Sequence, residues 1–110
     1  MKLVNLTPHK INILLGAGIS LEIPPEGNPA RLSVRSEERD PIEDGRLTIP
    51  VSTHEVTGIE GLPEPADDTV YIVPLVVAQH AKREDVMSPA RLMRDENGQP
   101  IGCMGLLAHA

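Results

Sequence analysis

Eleven prolines and nine glycines are scattered along this 110-residue chain rather than gathered in one tract. A proline inside a helix removes a backbone donor and clashes with the preceding turn, at about 3 kcal/mol, so the spacing excludes long helices and favours short strands joined by turns. Strands are expected at Lys2 to Leu6, Lys10 to Leu15 and Ile19 to Ile23. Gly16-Ala17-Gly18 reverses the chain between the last two. In Ile19-Ser20-Leu21-Glu22-Ile23 strict alternation assigns the three aliphatic residues to a buried face and Ser20 and Glu22 to water. Pro24 to Pro29 is a loop by composition, and Ala30 to Arg35 resumes as a strand with Ala30, Leu32 and Val34 on one side.

The polar, acidic run from Ser36 to Gly45 is expected to be an exposed connection. Leu47 to Val51 and His54 to Ile59 read as two separate strands interrupted by Pro50 and Gly58, and Leu62 to Asp68 as a loop. Thr69-Val70-Tyr71-Ile72-Val73 is the strongest strand, with the β-branched content of a central strand buried on both faces. Leu75 to Lys82 is the one helix candidate, presenting Leu75, Ala78 and Lys82 at helical spacing, and Arg83 to Pro89 is a mixed-charge loop. Asn97-Gly98 between Ala90–Asp95 and Gln99–Leu106 is a hairpin signal. The expected fold class is therefore α+β, mainly β: a compact single domain over residues 1–110, with about seven to nine short strands and one short helix.

The 40% apolar content includes one Tyr and no Phe or Trp, so the core must be aliphatic. Each buried aliphatic side chain contributes about 1.5–3 kcal/mol, close to the ordering cost it offsets, and a homo-oligomer that buries more of this surface is expected. A formal charge of −6 argues against DNA or RNA as a partner, because phosphate binding requires clustered Lys and Arg. Cys103 stands alone, which excludes an internal disulfide and points by default to the cytoplasm. The first residues are interrupted at Asn5 and Pro8, too early for a signal-peptide core, and no apolar run approaches the length of a membrane span.

Catalytic, metal and cofactor assignments are all none. His9, His54, His80, His109 and Cys103 lack the short paired spacing of a metal motif. Cys103 reads as a small buried apolar residue sharing a strand face with Ile101. The adjacent acids at Glu37-Glu38, Glu43-Asp44 and Asp67-Asp68 read as solvated loop residues. One ligand-binding constellation follows the central strand: Tyr71, Gln79, Arg83, Ser88, Arg91 and Arg94, with His80 and Asp85 beside them. Guanidinium groups there would fork onto a phosphate or carboxylate, Ser88 would hydrogen-bond it, and Tyr71 would stack on a base. The competing reading pairs Arg83 with Asp85 at the surface and leaves Arg91 and Arg94 in solvent.

Val4-Asn5-Leu6-Thr7-Pro8-His9, Gly61-Leu62-Pro63-Glu64-Pro65 before Tyr71-Ile72-Val73, and Arg94-Asp95-Glu96-Asn97-Gly98-Gln99-Pro100-Ile101-Gly102 together resemble small bacteriophage and prophage proteins. The resemblance spans most of the chain and implies a non-enzymatic accessory protein, acting in counter-defence. Two modes are expected from that context: sequestering a small anionic nucleotide signal with Arg83, Arg91 and Arg94, or inhibiting a basic host protein through the acids of Glu37 to Asp44. A small hydrolase built on His80 or His54 is the third reading.

Overall fold

Between the turns set by Gly and Pro, the computed structural model, which describes residues 1–110, places eight strands and one helix. These are β1 (Lys2–Asn5), β2 (Ile11–Gly16), β3 (Ile19–Ile23), β4 (Arg31–Asp44), β5 (Leu47–Glu60), β6 (Thr69–Ile72), α1 (Leu75–Ala81), β7 (Val86–Arg94) and β8 (Pro100–Ala108). Six strands form one mixed sheet in the order β1-β6-β7-β8-β2-β3, while β4 and β5 pair only with each other. The protein is a mainly-β domain, and no helix is long and apolar enough to cross a membrane.

The sheet curls until its two edges meet. Beyond β3, Pro25 bridges to Asn5 of β1 in parallel, and the Glu26 amide donates to the Asn5 carbonyl. The Asn5 side chain, fully buried, completes the seam by donating through Nδ2 to the carbonyls of Ile23 at 2.9 Å and His9 at 2.8 Å. Its Oδ1 accepts from the Thr7 amide at 2.9 Å and the Thr7 hydroxyl at 2.7 Å. The Asn5-Leu6-Thr7-Pro8-His9 segment is therefore a corner that turns β1 toward β2 and joins β3 to β1.

Curling divides the core in two. Inside lie Ile11, Ile13, Ile23, Ile72 and Cys103, with Leu3 and Leu106 against them. Outside, Val4, Tyr71, Val73 and Val86 pack under Val77 and Ala78 of α1, and Leu6 and Ala30 complete that layer. Adjacent residues of β6, Tyr71 and Ile72, thus enter opposite clusters, as expected of a strand covered on both faces. The helix buries Val77 and Ala78 rather than Leu75, which is 48% exposed, and ends on Lys82 in the left-handed conformation. In β3 alternation holds but burial does not: only Ile23 is covered, because Ile19 and Leu21 run past the first residue of β1 and have no neighbour there.

The largest departure from expectation lies between residues 31 and 60. Ser36 to Asp44 is not a loop but the outer part of a 14-residue strand, with Gly45 in the turn, and the segments on either side of Pro50 are one strand of equal length. Their ladder runs from Arg31–Glu60 to Asp44–Leu47. Between Arg39–Val51 and Ile42–Ile49, Asp40 and Pro41 oppose the single residue Pro50, so both prolines sit at a bulge where the ladder needs no N–H from them. A strand of this length spans roughly 45 Å. The resulting arm explains a radius of gyration of 18.1 Å, against about 13 Å for a sphere-like chain of this size.

The arm is fastened where it leaves the sheet. Leu32 and Ile59 pack on the outer core layer, and the Ala30 amide donates to the Leu6 carbonyl. Gly61 closes the two legs: at φ +81° its would-be Cβ lies 3.1 Å from the Pro29 carbonyl oxygen, so only glycine allows the approach.

Candidate functional site

Several residues of the expected ligand constellation have structural partners. Arg83 donates from Nε to Asp85 Oδ1 at 2.9 Å and from Nη2 to Oδ2 at 2.6 Å, while Nη1 reaches the Pro63 carbonyl at 3.0 Å. Tyr71, 6% exposed, donates its hydroxyl to the Glu64 carbonyl at 3.2 Å. Tyr71 and Arg83 thus clasp the segment that returns from the arm to β6, and the buried ring of Tyr71 offers no face for stacking. Ser88 is fully buried, its hydroxyl 2.9 Å from His109 Nε2. Gln79 and His80 are exposed on α1.

The remaining arginines do not converge with Arg83. Arg91 and Arg94 lie along β7, whose length from Val86 to Arg94 separates its ends by about 25 Å. Arg94 donates to the Gly98 carbonyl at 2.9 Å within the Asn97-Gly98 hairpin, and Arg91 is held at φ 56° at an unpaired edge position. Beside Asp85 opens a depression of about 240 Å³ whose lining includes Asp68, Glu84 and Asp85, a carboxylate-rich surface that repels an anion.

The Arg83 hydrogen bonds hold the Asp85 carboxyl below the ordinary carboxylate range, with burial opposing them. A carboxyl whose folded pKa is depressed stabilises the fold above its unfolded pKa, and that contribution disappears as pH falls through the lower folded value. Wild type is therefore expected to lose melting temperature below about pH 4 more steeply than Arg83→Met, measured by circular dichroism across pH 2.5 to 6.

No set of three or more His, Cys, Asp or Glu side chains is grouped to hold a metal ion. The pair Ser36 Oγ and His54 Nδ1, 2.8 Å apart, faces open solvent across the arm.

The arm is where the surface is least ordinary. Near its tip Ile42 is 57%, Leu47 66% and Ile49 44% exposed, with Ile42 directly opposite Ile49. Val51, two residues from Ile49, continues the same face. Around them Glu38, Asp40, Glu43 and Asp44 form no ion pair, whereas the inner half is laced by Arg31–Glu60 at 2.8 Å and by Arg35–Glu55. The bulge opens a cleft of about 390 Å³ between Glu38, Arg39 and Pro41 on one strand and Pro50, Val51 and Ser52 on the other. Sequence reasoning passed over these aliphatic residues; the available signal was Ile42 standing alone inside an acidic run.

Comparison with family models, curated proteins and solved structures gives no match.

Proposed function

We propose that this chain is a non-enzymatic binding protein that holds a partner protein with the outer half of the β4–β5 arm. The observation that carries the reading is the exposed Ile42, Leu47 and Ile49 cluster at the end of a two-stranded ribbon surrounded by unpaired acids. An isolated ribbon is marginal in water, and aliphatic side chains at its tip gain most when a second surface covers them. Their burial supplies the anchors, while Glu38, Asp40, Glu43 and Asp44 favour a partner with a basic rim and speed its approach. The fastened base suits the role, since a rigidly rooted arm loses less freedom on binding. The resemblance carried by Asn5 to His9 makes a host protein the partner to test first.

Capture of an anionic nucleotide by Arg83, Arg91 and Arg94 draws less support, because Arg83 is committed to Asp85 and Pro63 and the other two lie along a different strand.

The test is affinity capture from host lysate on immobilised wild type and on Ile42→Lys/Ile49→Lys, which alters only exposed positions. A partner retained by wild type is expected to fall by more than about tenfold on the variant, since each lost anchor is worth about 1.5–3 kcal/mol. Rising salt should weaken its capture. Equal retention by both proteins, or no protein retained by either, overturns the reading.

A further inference from the structure

The chain has four asparagines, and three of them are protected from ring closure with the main chain. In that reaction a backbone nitrogen attacks the side-chain carbonyl carbon of the asparagine before it. It needs a free side-chain amide, a following residue that leaves room, and a backbone N–H that can lose its proton. Asn5 is fully buried with both ends of its amide bonded. Asn12 precedes the β-branched Ile13, which is held between Leu21 of β3 and Cys103 of β8. Asn28 precedes Pro29, whose nitrogen carries no hydrogen.

Asn97 has none of these protections. It is exposed, and only its backbone amide is bonded, to Asp95 Oδ1. Gly98 after it stands at φ 79° with open space where a Cβ would lie. What restrains the pair is the turn between β7 and β8. The Gly98 N–H donates to the Asp95 carbonyl at 3.0 Å, so the attacking nitrogen is engaged while the turn is closed. Asp95 Oδ1 keeps it closed by accepting from the Asn97 amide at 2.9 Å and the Gln99 amide at 3.0 Å. Every residue from Arg91 to Pro100 is exposed, so these bonds compete with water and the turn opens at small cost.

We propose that Asn97 is a site of spontaneous covalent modification, converting to aspartate and isoaspartate at a rate set by the Asp95 side chain. The Gly98 nitrogen gives its proton to hydroxide and bonds to Asn97 Cγ. The Cγ–Nδ2 bond breaks, and ammonia leaves with a proton from water, which regenerates the hydroxide. Water then opens the cyclic imide. Cleavage of the ring at Cγ leaves aspartate, and cleavage at the Asn97 main-chain carbonyl leaves isoaspartate; nothing is oxidised or reduced. Either product adds one negative charge to a chain already at −6. Isoaspartate also routes the main chain through an extra carbon, so the Gly98-to-Asp95 bond loses its register and the hairpin loosens beyond the Arg94–Pro100 pair.

The test holds wild type, Asn97→Ser, Asp95→Ala and Asp95→Asn at about pH 7.4 and 37 °C for about a month, followed by peptide mapping with electron-transfer fragmentation, which tells the two products apart. Wild type is expected to gain about 1 Da at Asn97 and at no other asparagine, and Asn97→Ser to gain nothing. Asp95→Ala should speed the conversion by about two- to tenfold, the factor that one surface hydrogen bond is worth. Asp95→Asn keeps an Oδ1 acceptor without the charge and should follow wild type. Circular dichroism before incubation should be alike for all four proteins. A wild type that keeps its mass at Asn97 overturns the proposal, as does conversion at Asn5 or Asn12 instead. So does an Asp95→Ala no faster than wild type, or an Asp95→Asn as fast as Asp95→Ala.

Discussion

Replacing Asn5 by Ala is expected to lower stability by about 4 kcal/mol, a large part of the roughly 5–15 kcal/mol available to a domain of this kind. The side chain is fully buried and uses both ends: Nδ2 serves the carbonyls of His9 and Ile23, and Oδ1 receives the Thr7 amide and hydroxyl. Alanine orphans the buried Thr7 amide and strips one bond each from the Thr7 hydroxyl and the Ile23 and His9 carbonyls, although Thr7 and His9 keep the bond between them; an orphaned buried group costs about 1–3 kcal/mol and each lost bond about 0.5–1.5 kcal/mol. In thermal denaturation the midpoint should fall by about 15–30 °C. Asn5→Asp separates seam from corner. It still accepts from Thr7 but sets carboxylate oxygens against two carbonyls, so it should be at least as damaging at neutral pH and recover partly in acid, where the carboxyl regains a donor.

The second large effect is expected at Gly102. A Cβ there would lie 2.7 Å from the Asn12 carbonyl oxygen and within 3.3 Å of Leu14 side-chain carbons, so β8 must move off β2 to admit a methyl group. These two strands join the halves of the sheet through the Ile13–Cys103 pairing, and strain there falls on the inner core to which both residues belong. Gly102→Ala should cost about 2–4 kcal/mol in urea denaturation. Gly105→Ala, three residues along the same strand, has nothing within 4 Å of its new Cβ and should be close to neutral. Similar losses from both would show that glycine flexibility, rather than the close approach to Asn12, sets the effect.

What was legible in the sequence follows from which residues had to choose a side. Thr69 to Val73 could be recognised because a strand covered on both faces needs β-branched residues at every position, and Tyr71 and Ile72 do enter two different cores. Cys103 was legible as a buried apolar residue for the same reason, and is 2% exposed. The Asn97-Gly98 turn was legible because only φ above zero fits there, and Gly98 stands at φ 79° with Asp95 Oδ1 accepting from the Asn97 and Gln99 amides.

The arm was not legible, since a ribbon wet on both faces imposes no alternation, and Glu37 to Asp44 carries none. Pro50, taken alone, reads as a strand breaker and Pro41 as part of an exposed connection; opposite one another at a bulge they cost the ladder little. The structural partners of two expected ligand residues were hidden for a related reason. Tyr71 and Arg83 were placed correctly near the end of the central strand, but their partners are the carbonyls of Glu64 and Pro63, and no residue-type pattern announces a backbone acceptor. Asn5 escaped notice as a structural residue because its partners at Ile23 and His9 are likewise backbone groups.

The close approach of Pro29 to Gly61 also bears on how the chain reaches this fold. β1 pairs with β6, and the whole arm lies between them in sequence. A hairpin zips from its own turn in about 1–10 µs, without waiting for distant segments. Once β4 and β5 have paired, residues 29 and 61 are neighbours, and the loop that β1–β6 pairing must close is roughly halved, which saves about 0.6 kcal/mol of chain entropy. The arm thus serves the nascent chain as a temporary short-circuit, shortening the search for the β1–β6 pairing.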